Sequence, residues 1–117
     1  MDLSAIIERQ ISADERRGFL VRFETERQQY EQLTHDLVGL VGEVGEFANE
    51  LKKVGLGLDN AKYDGPSLEA AALHMREELA DAAIYLMRLS AGLGGDLEKD
   101  ILSKMDENDG RYRSLER

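Results

Sequence analysis

The chain has 117 residues, no cysteine and a formal charge of −9 at pH 7, with 42% hydrophobic and 33% charged residues. That length supports one domain, residues 1–117, on a single core, and the composition is that of a folded globular chain. Disulfides and thiolate metal sites are excluded, and the acidic balance argues against a nucleic acid polymer as partner, although a single nucleotide stays compatible if a cation accompanies it.

One proline, Pro66, and no regular strand alternation predict an all-α fold, a bundle of four to five helices. The opening MDLSAIIERQ has no basic stretch followed by an apolar one, so no secretory signal is expected and cytoplasm is the default compartment. Residues 3–10 predict a short helix capped by Asp2 or Ser4. Ser12 with Glu15 fits a capping box for a second helix running to about residue 29, with Phe19, Leu20 and Phe23 apolar and Gly18 a point where it could break. The third and clearest helix covers about 31–54. Its residues Leu33, Leu37, Leu40, Val44, Phe47 and Leu51 recur at spacings of four and three, one continuous stripe. Gly55, Gly57, Asp59-Asn60 and Asp64-Gly65-Pro66 predict a loop of about a dozen residues. Ser67 caps a fourth helix to about 91, whose longest apolar run, 82–87, is far too short for a membrane. Gly92, Gly94 and Gly95 break the chain, and Asp96 starts a last helix reaching at least Glu107.

The third helix contains VGEVGEFANELKK, residues 41–53, which is poorly made for helix stability. Interior glycines cost about 0.5–1 kcal/mol each relative to alanine, and like charges one turn apart repel. At about 100° per residue, Glu43, Glu46 and Glu50 fall within roughly 60° of one another beside the apolar stripe. A solvated helix edge would explain them alone. The next helix shifts the balance, because His74, Glu78, Asp81 and Tyr85 share one face at spacings of four, three and four, closely flanked by Ala71, Ala82 and Leu89. That helix is apolar nearly all round and is expected at the centre of the bundle, where paired carboxylates need a counter-charge. Glu-x-x-Glu on one helix and Glu-x-x-Asp on its antiparallel neighbour would then converge. All-oxygen ligands suit Mg²⁺, with Mn²⁺ as substitute. Iron would use Glu-x-x-His pairs, yet Ala71 and Gln32 stand three residues before the two histidines, and zinc would need more nitrogen or sulfur. Gly39, Gly42 and Gly45 form a strip without side chains, suited to tight helix packing or to ligand contact.

These residues resemble the signature of the all-α nucleoside triphosphate pyrophosphohydrolases, the MazG-like group. That group includes dimeric dUTPases, dCTP pyrophosphatases and phosphoribosyl-ATP pyrophosphohydrolase. LVGLVGEVGEFANELKK is similar to its first motif helix, EELADAAIYL to its second, and KMDENDGRY to a C-terminal segment that contacts phosphates or sugar. The likeness runs over about residues 33–112. It departs in a longer gap of 31 residues between Glu46 and Glu78 and in the lack of tryptophan.

The resemblance implies hydrolysis of an NTP or dNTP to monophosphate and pyrophosphate. Glu43, Glu46, Glu78 and Asp81 would hold Mg²⁺, with Glu50 as a further ligand. Glu46 is favoured as the base for the attacking water, and Glu43 and Glu50 compete with it. Lys104, Asn108 and Arg111 would meet the distal phosphates, Tyr85 the base or sugar, and Lys53, with Lys52, would assist with phosphate or simply suit the helix C-terminus. His35 and His74 are read as structural. Uncovered apolar surface through Ala82, Ala83, Leu86 and Met87 predicts a homodimer or dimer of dimers, with no membrane partner. Phosphoribosyl-ATP hydrolysis, a non-catalytic Mg²⁺- or nucleotide-binding helical dimer, and a bundle with no site stay open as alternatives.

Overall fold

The chain folds into α1 (Leu3–Arg16), α2 (Glu26–Asp59), α3 (Leu68–Gly92) and α4 (Leu97–Arg111), followed by one 3₁₀ turn at Arg113–Leu115 and no strand. The computed structural model describes residues 1–117. No helix is long and apolar enough to cross a membrane.

Short-range chemistry sets most helix ends. Asp2 Oδ1 accepts from Ala5 N at 2.9 Å, Ser67 Oγ from Ala70 N at 3.0 Å, and Asp96 Oδ1 from Lys99 N at 3.1 Å. Each satisfies an orphan amide of a first helical turn. α1 ends where Gly18 takes φ +88°, with Gly18 N donating to Glu15 O and Phe19 N to Asp14 O. α3 ends in the same way, with Gly94 at φ +72°, Gly94 N donating to Ala91 O and Gly95 N to Ser90 O. Both are Schellman closures, which need a left-handed residue that glycine adopts without strain.

Two sequence expectations are corrected. The helices expected at 3–10 and 12–29 are instead one helix, Leu3–Arg16, and a non-helical segment over 17–25. Nothing between Leu3 and Arg16 breaks a helix, whereas Gly18 does. The next helix starts not from Ser12 but from Thr25, whose Oγ1 accepts from Gln28 N while Gln28 Oε1 accepts from Glu24 N. This variant of the capping box is written in Thr25-x-x-Gln28. The second correction concerns the loop, which shrinks to residues 60–67 because α2 continues through Gly55 and Gly57 to Asp59. Val54 is buried with Ala71 and Met75, and Gly57 faces Gly65, so this helix end is packed past both glycines. At Gly65 an added Cβ would lie 2.6 Å from the Lys53 carbonyl oxygen, so only glycine lets the returning chain pass this close.

The chain divides into two compact units, Leu33–Leu86 and Met1–Gln32 with Met87–Arg117, and α2 and α3 contribute to both. In the second of these, α1 packs on α4, and the Ser4 hydroxyl donates to Glu98. A buried ion pair holds α3 to α1: Arg88 Nη1 donates to Asp14 Oδ2 at 3.0 Å and to the Phe19 carbonyl at 3.3 Å. Gln10 Nε2 also donates to Asp14 Oδ2, at 2.9 Å.

The unit Leu33–Leu86 is an antiparallel hairpin of α2 and α3 around Val54, Ala71 and Met75, with Phe47 against them. The face of α2 turned to α3 is not the apolar stripe. Leu37, Val44 and Leu51 are exposed, whereas Asp36 is 2% exposed and Glu43, Phe47 and Glu50 are half-buried. On a helical wheel the buried face is rotated by roughly 70° from the centre of the stripe, toward the acidic edge. The apolar face expected on α3 also differs: Ala82 and Met87 are buried within the chain, and Leu86 is open together with Leu73 and Leu79.

The glycine strip divides accordingly. At Gly39 an added Cβ would meet the Tyr85 hydroxyl oxygen at 2.7 Å, whereas Gly42 and Gly45 face open space. Gly42→Ala and Gly45→Ala should each stabilise the chain by about 0.5–1 kcal/mol in urea titrations, and Gly39→Ala should destabilise it. Arg88→Ala, which removes the buried cationic partner of Asp14 and leaves it Gln10 and Arg17, should lose about 1–3 kcal/mol in the same measurement.

Candidate active site

The half-buried acidic edge of α2 faces the middle of α3. Glu78 is the centre of this meeting. It is 3% exposed, and neither carboxylate oxygen accepts a hydrogen bond. His74, one turn earlier, lies beside it, with Nε2 3.3 Å from Glu78 Oε1 and 4.0 Å from Glu50 Oε1. Glu50, His74 and Glu78 offer ligand atoms within 4.8 Å of one another. A buried, unsatisfied carboxylate costs several kcal/mol unless a positive group compensates it.

Glu43 stands one and two turns before Glu46 and Glu50 on the same side of α2. Its carboxyl is raised above the ordinary value, first by removal from water and then by the negative charges of Glu46, Asp81 and Glu78, with His74 opposing. All these groups therefore act on one small region. Within it Glu46 and Asp81 are the exposed members, and Glu43 and Glu50 are half-buried. Tyr85 closes one end, its ring over Gly39. Lys53 is half-buried beside the turn at Gly65, and Lys52 is exposed.

The structure thus gathers Glu43, Glu46, Glu50, Glu78, Asp81 and Tyr85 in the unit Leu33–Leu86. Lys104, Asn108 and Arg111 stand exposed on α4, in the other unit. There Lys104 Nζ pairs with Glu107 at 3.2 Å and the Arg111 guanidinium lies 5.2 Å from the Tyr112 ring centroid. That unit also has a cavity of about 950 Å³, apolar on Ile7, Ile11, Val21 and Met87 and rimmed by Glu8, Glu15 and Glu24, with Arg22 its one cationic side chain. None of the predicted site residues lines it, and its charge is wrong for a bare phosphate.

Over 89 residues the chain is 42% identical to dCTP pyrophosphatase 1 of Mus musculus. The aligned stretch is 76% of this chain and 51% of that protein. The rat and human proteins of the same name are 40% and 39% identical over 89 residues. The chain spans about half the length of these curated relatives. No family model matches it, and no solved structure does.

His74, read from the sequence as structural, lies beside the carboxylates of the cluster. Its ring is exposed and its Nε2 faces two carboxylates of the cluster, while Nδ1 lies 3.7 Å from Glu77 Oε2. The available signal was its spacing of four from Glu78 on the acidic face of α3. His35, by contrast, is exposed beside Asp36, with Nδ1 3.7 Å from Oδ1.

The Glu43 shift has a definite pH sign. A carboxyl raised in the folded chain binds protons there at a pH where the unfolded chain has released them. The folded state is thus favoured at acid pH, and this contribution is lost as pH rises through the raised value. In EDTA, Glu43→Gln should therefore unfold at a higher temperature than the wild type at pH 7, and the difference should shrink as pH falls into the ordinary carboxylate range. Thermal melts across pH check this.

Proposed function

We propose that the chain is a MazG-like nucleotide pyrophosphohydrolase that cleaves an NTP or dNTP, dCTP foremost, to the monophosphate and pyrophosphate. The observation that carries this reading is the buried Glu78 carboxylate without hydrogen-bond donors, set among Glu43, Glu46, Glu50 and Asp81. A helix pair that gathers hard oxygen donors around an uncompensated buried charge is suited to a hard dication. The identity to dCTP pyrophosphatases supports the reaction class and the choice of nucleotide.

Glu43, Glu46, Glu78 and Asp81 would hold Mg²⁺, with Glu50 beside them and Mn²⁺ as substitute. Bound there, the cation supplies charge neutralisation for the triphosphate and for the departing pyrophosphate. Glu46, the exposed acid of the α2 edge, takes the proton from a water whose oxygen attacks the α-phosphorus in line. The bond from that phosphorus to the bridging oxygen breaks, and pyrophosphate leaves. Glu43, raised by removal from water and then by its acidic neighbours, stays the competing base as well as a ligand. Tyr85, fixed over Gly39, offers its phenol to base or sugar. On sequence grounds Lys104, Asn108 and Arg111 are the phosphate contacts. A homodimer would cover the exposed apolar row Leu37, Val41, Val44 and Leu51 of α2.

Product analysis over a panel of NTPs and dNTPs tests the proposal. The wild type should release dCMP and pyrophosphate from dCTP with Mg²⁺ and nothing in EDTA, and Glu46→Gln and Asp81→Asn should each lose at least about 100-fold in kcat. Mg²⁺ should also raise the melting temperature of the wild type and not of Asp81→Asn. Absence of turnover on the whole panel, or turnover insensitive to Glu46→Gln, would sink the reading.

A further inference from the structure

We propose that Glu50, His74 Nε2 and Glu78 form a mixed nitrogen–oxygen site for a first-row transition-metal dication, of the Mn²⁺, Co²⁺ and Zn²⁺ class, adjoining the all-oxygen set. Two independent observations, the mutual geometry of these side chains and the burial of Glu78, point there. The ligand atoms of these residues lie within 4.8 Å of one another. Glu78 is 3% exposed and neither of its oxygens accepts a hydrogen bond, so a buried polar side chain is aimed into the site without a donor. His74 presents Nε2 to both carboxylates while Nδ1 turns to Glu77 Oε2 at 3.7 Å.

The last feature separates this arrangement from a helix edge that merely carries acids. The ring atom turned to both carboxylates is Nε2, which a neutral imidazole can offer as a nitrogen ligand. The distances suit the purpose. Bonds of about 2.0–2.2 Å to a dication put neighbouring ligand atoms about 3 Å apart and opposed ones about 4.2 Å apart. Against these, Nε2 is 3.3 Å from Glu78 Oε1 and 4.0 Å from Glu50 Oε1.

An imidazole shifts preference away from Mg²⁺. Nitrogen binds the later first-row dications more strongly, in the order Mn²⁺ below Co²⁺ with Zn²⁺ also above Mn²⁺, and adds little for a hard ion that retains its waters. The site would give this chain a second, softer cation preference beside its hydrolase centre. It deepens the hydrolase reading and rests on it for the placement of the hard-ion ligands, while metal binding is measured without turnover, so either can fail alone.

The test uses Mn²⁺ and the full chain, without nucleotide. Bound Mn²⁺ is counted by electron paramagnetic resonance, and ¹⁴N spin-echo modulation reports a coordinated imidazole. The wild type should show ¹⁴N modulation with millimolar Mg²⁺ present. His74→Ala should lose it and bind Mn²⁺ at least about tenfold more weakly, with Mg²⁺ affinity changed less than about twofold. His35→Ala should keep both signal and affinity. Glu50→Gln should weaken Mn²⁺ and retain the ¹⁴N coupling, which keeps the proposal exposed even if His74→Ala fails to fold. No ¹⁴N modulation in the wild type, its persistence in His74→Ala, or equal weakening of Mn²⁺ and Mg²⁺ would overturn the site.

Discussion

A carboxylate without donors, enclosed between two helices, is the constraint around which the unit Leu33–Leu86 is arranged. Glu78 gains nothing from hydrogen bonds, and an exposed imidazole and another carboxylate lie beside it. In an isolated bundle such a group weakens the fold. It makes sense where a cation completes it, because the energy that opposes folding of the empty chain then becomes affinity for the ion. The raised Glu43 carboxyl reports the same condition from the other helix. Local stability and ligand affinity are here two sides of one electrostatic arrangement.

The orientation of α2 follows from this. Apolar periodicity alone would turn Leu37, Val44 and Leu51 inward. The helix instead keeps Asp36, Glu43, Phe47, Glu50 and Val54 buried or half-buried. Gly39 lets the Tyr85 ring lie directly on the α2 backbone, and Gly65 lets the returning chain come against Lys53, so both ends of the hairpin are fixed by close approach. Between them the acids are held by the geometry of two anchored ends and not by apolar contact of their own. That leaves the stripe free for another surface.

Much of the fold was legible in residues whose effect is local. Asp2, Ser67 and Asp96 each place an oxygen three residues before an orphan amide, and Gly94 ends α3 because it alone takes the left-handed conformation there. The acidic convergence was legible from spacing, since residues three and four apart on facing helices must share faces. What was not legible depended on choices between equivalent local signals. Ser12 and Thr25 both head plausible capping boxes, and only the closure at Gly18 decides between them. Gly55 and Gly57 look like breakers, yet tertiary packing at Val54 carries the helix past them. The rotation of α2 and the part played by His74 are properties of two helices together, and neither is encoded in the periodicity of one.

The open stripe also bears on how the chain melts. Leu37, Val38, Val41 and Val44 on α2, with Leu73, Leu79 and Leu86 on α3, remain in water in the folded chain. Unfolding a single copy therefore exposes less new apolar surface than its length suggests. Its heat-capacity increment and its denaturant slope should both lie below those typical of a domain of this size, giving a shallow, broad transition. Assembly through that stripe would transfer the missing surface from water to an interface, steepening the transition and coupling it to protein concentration.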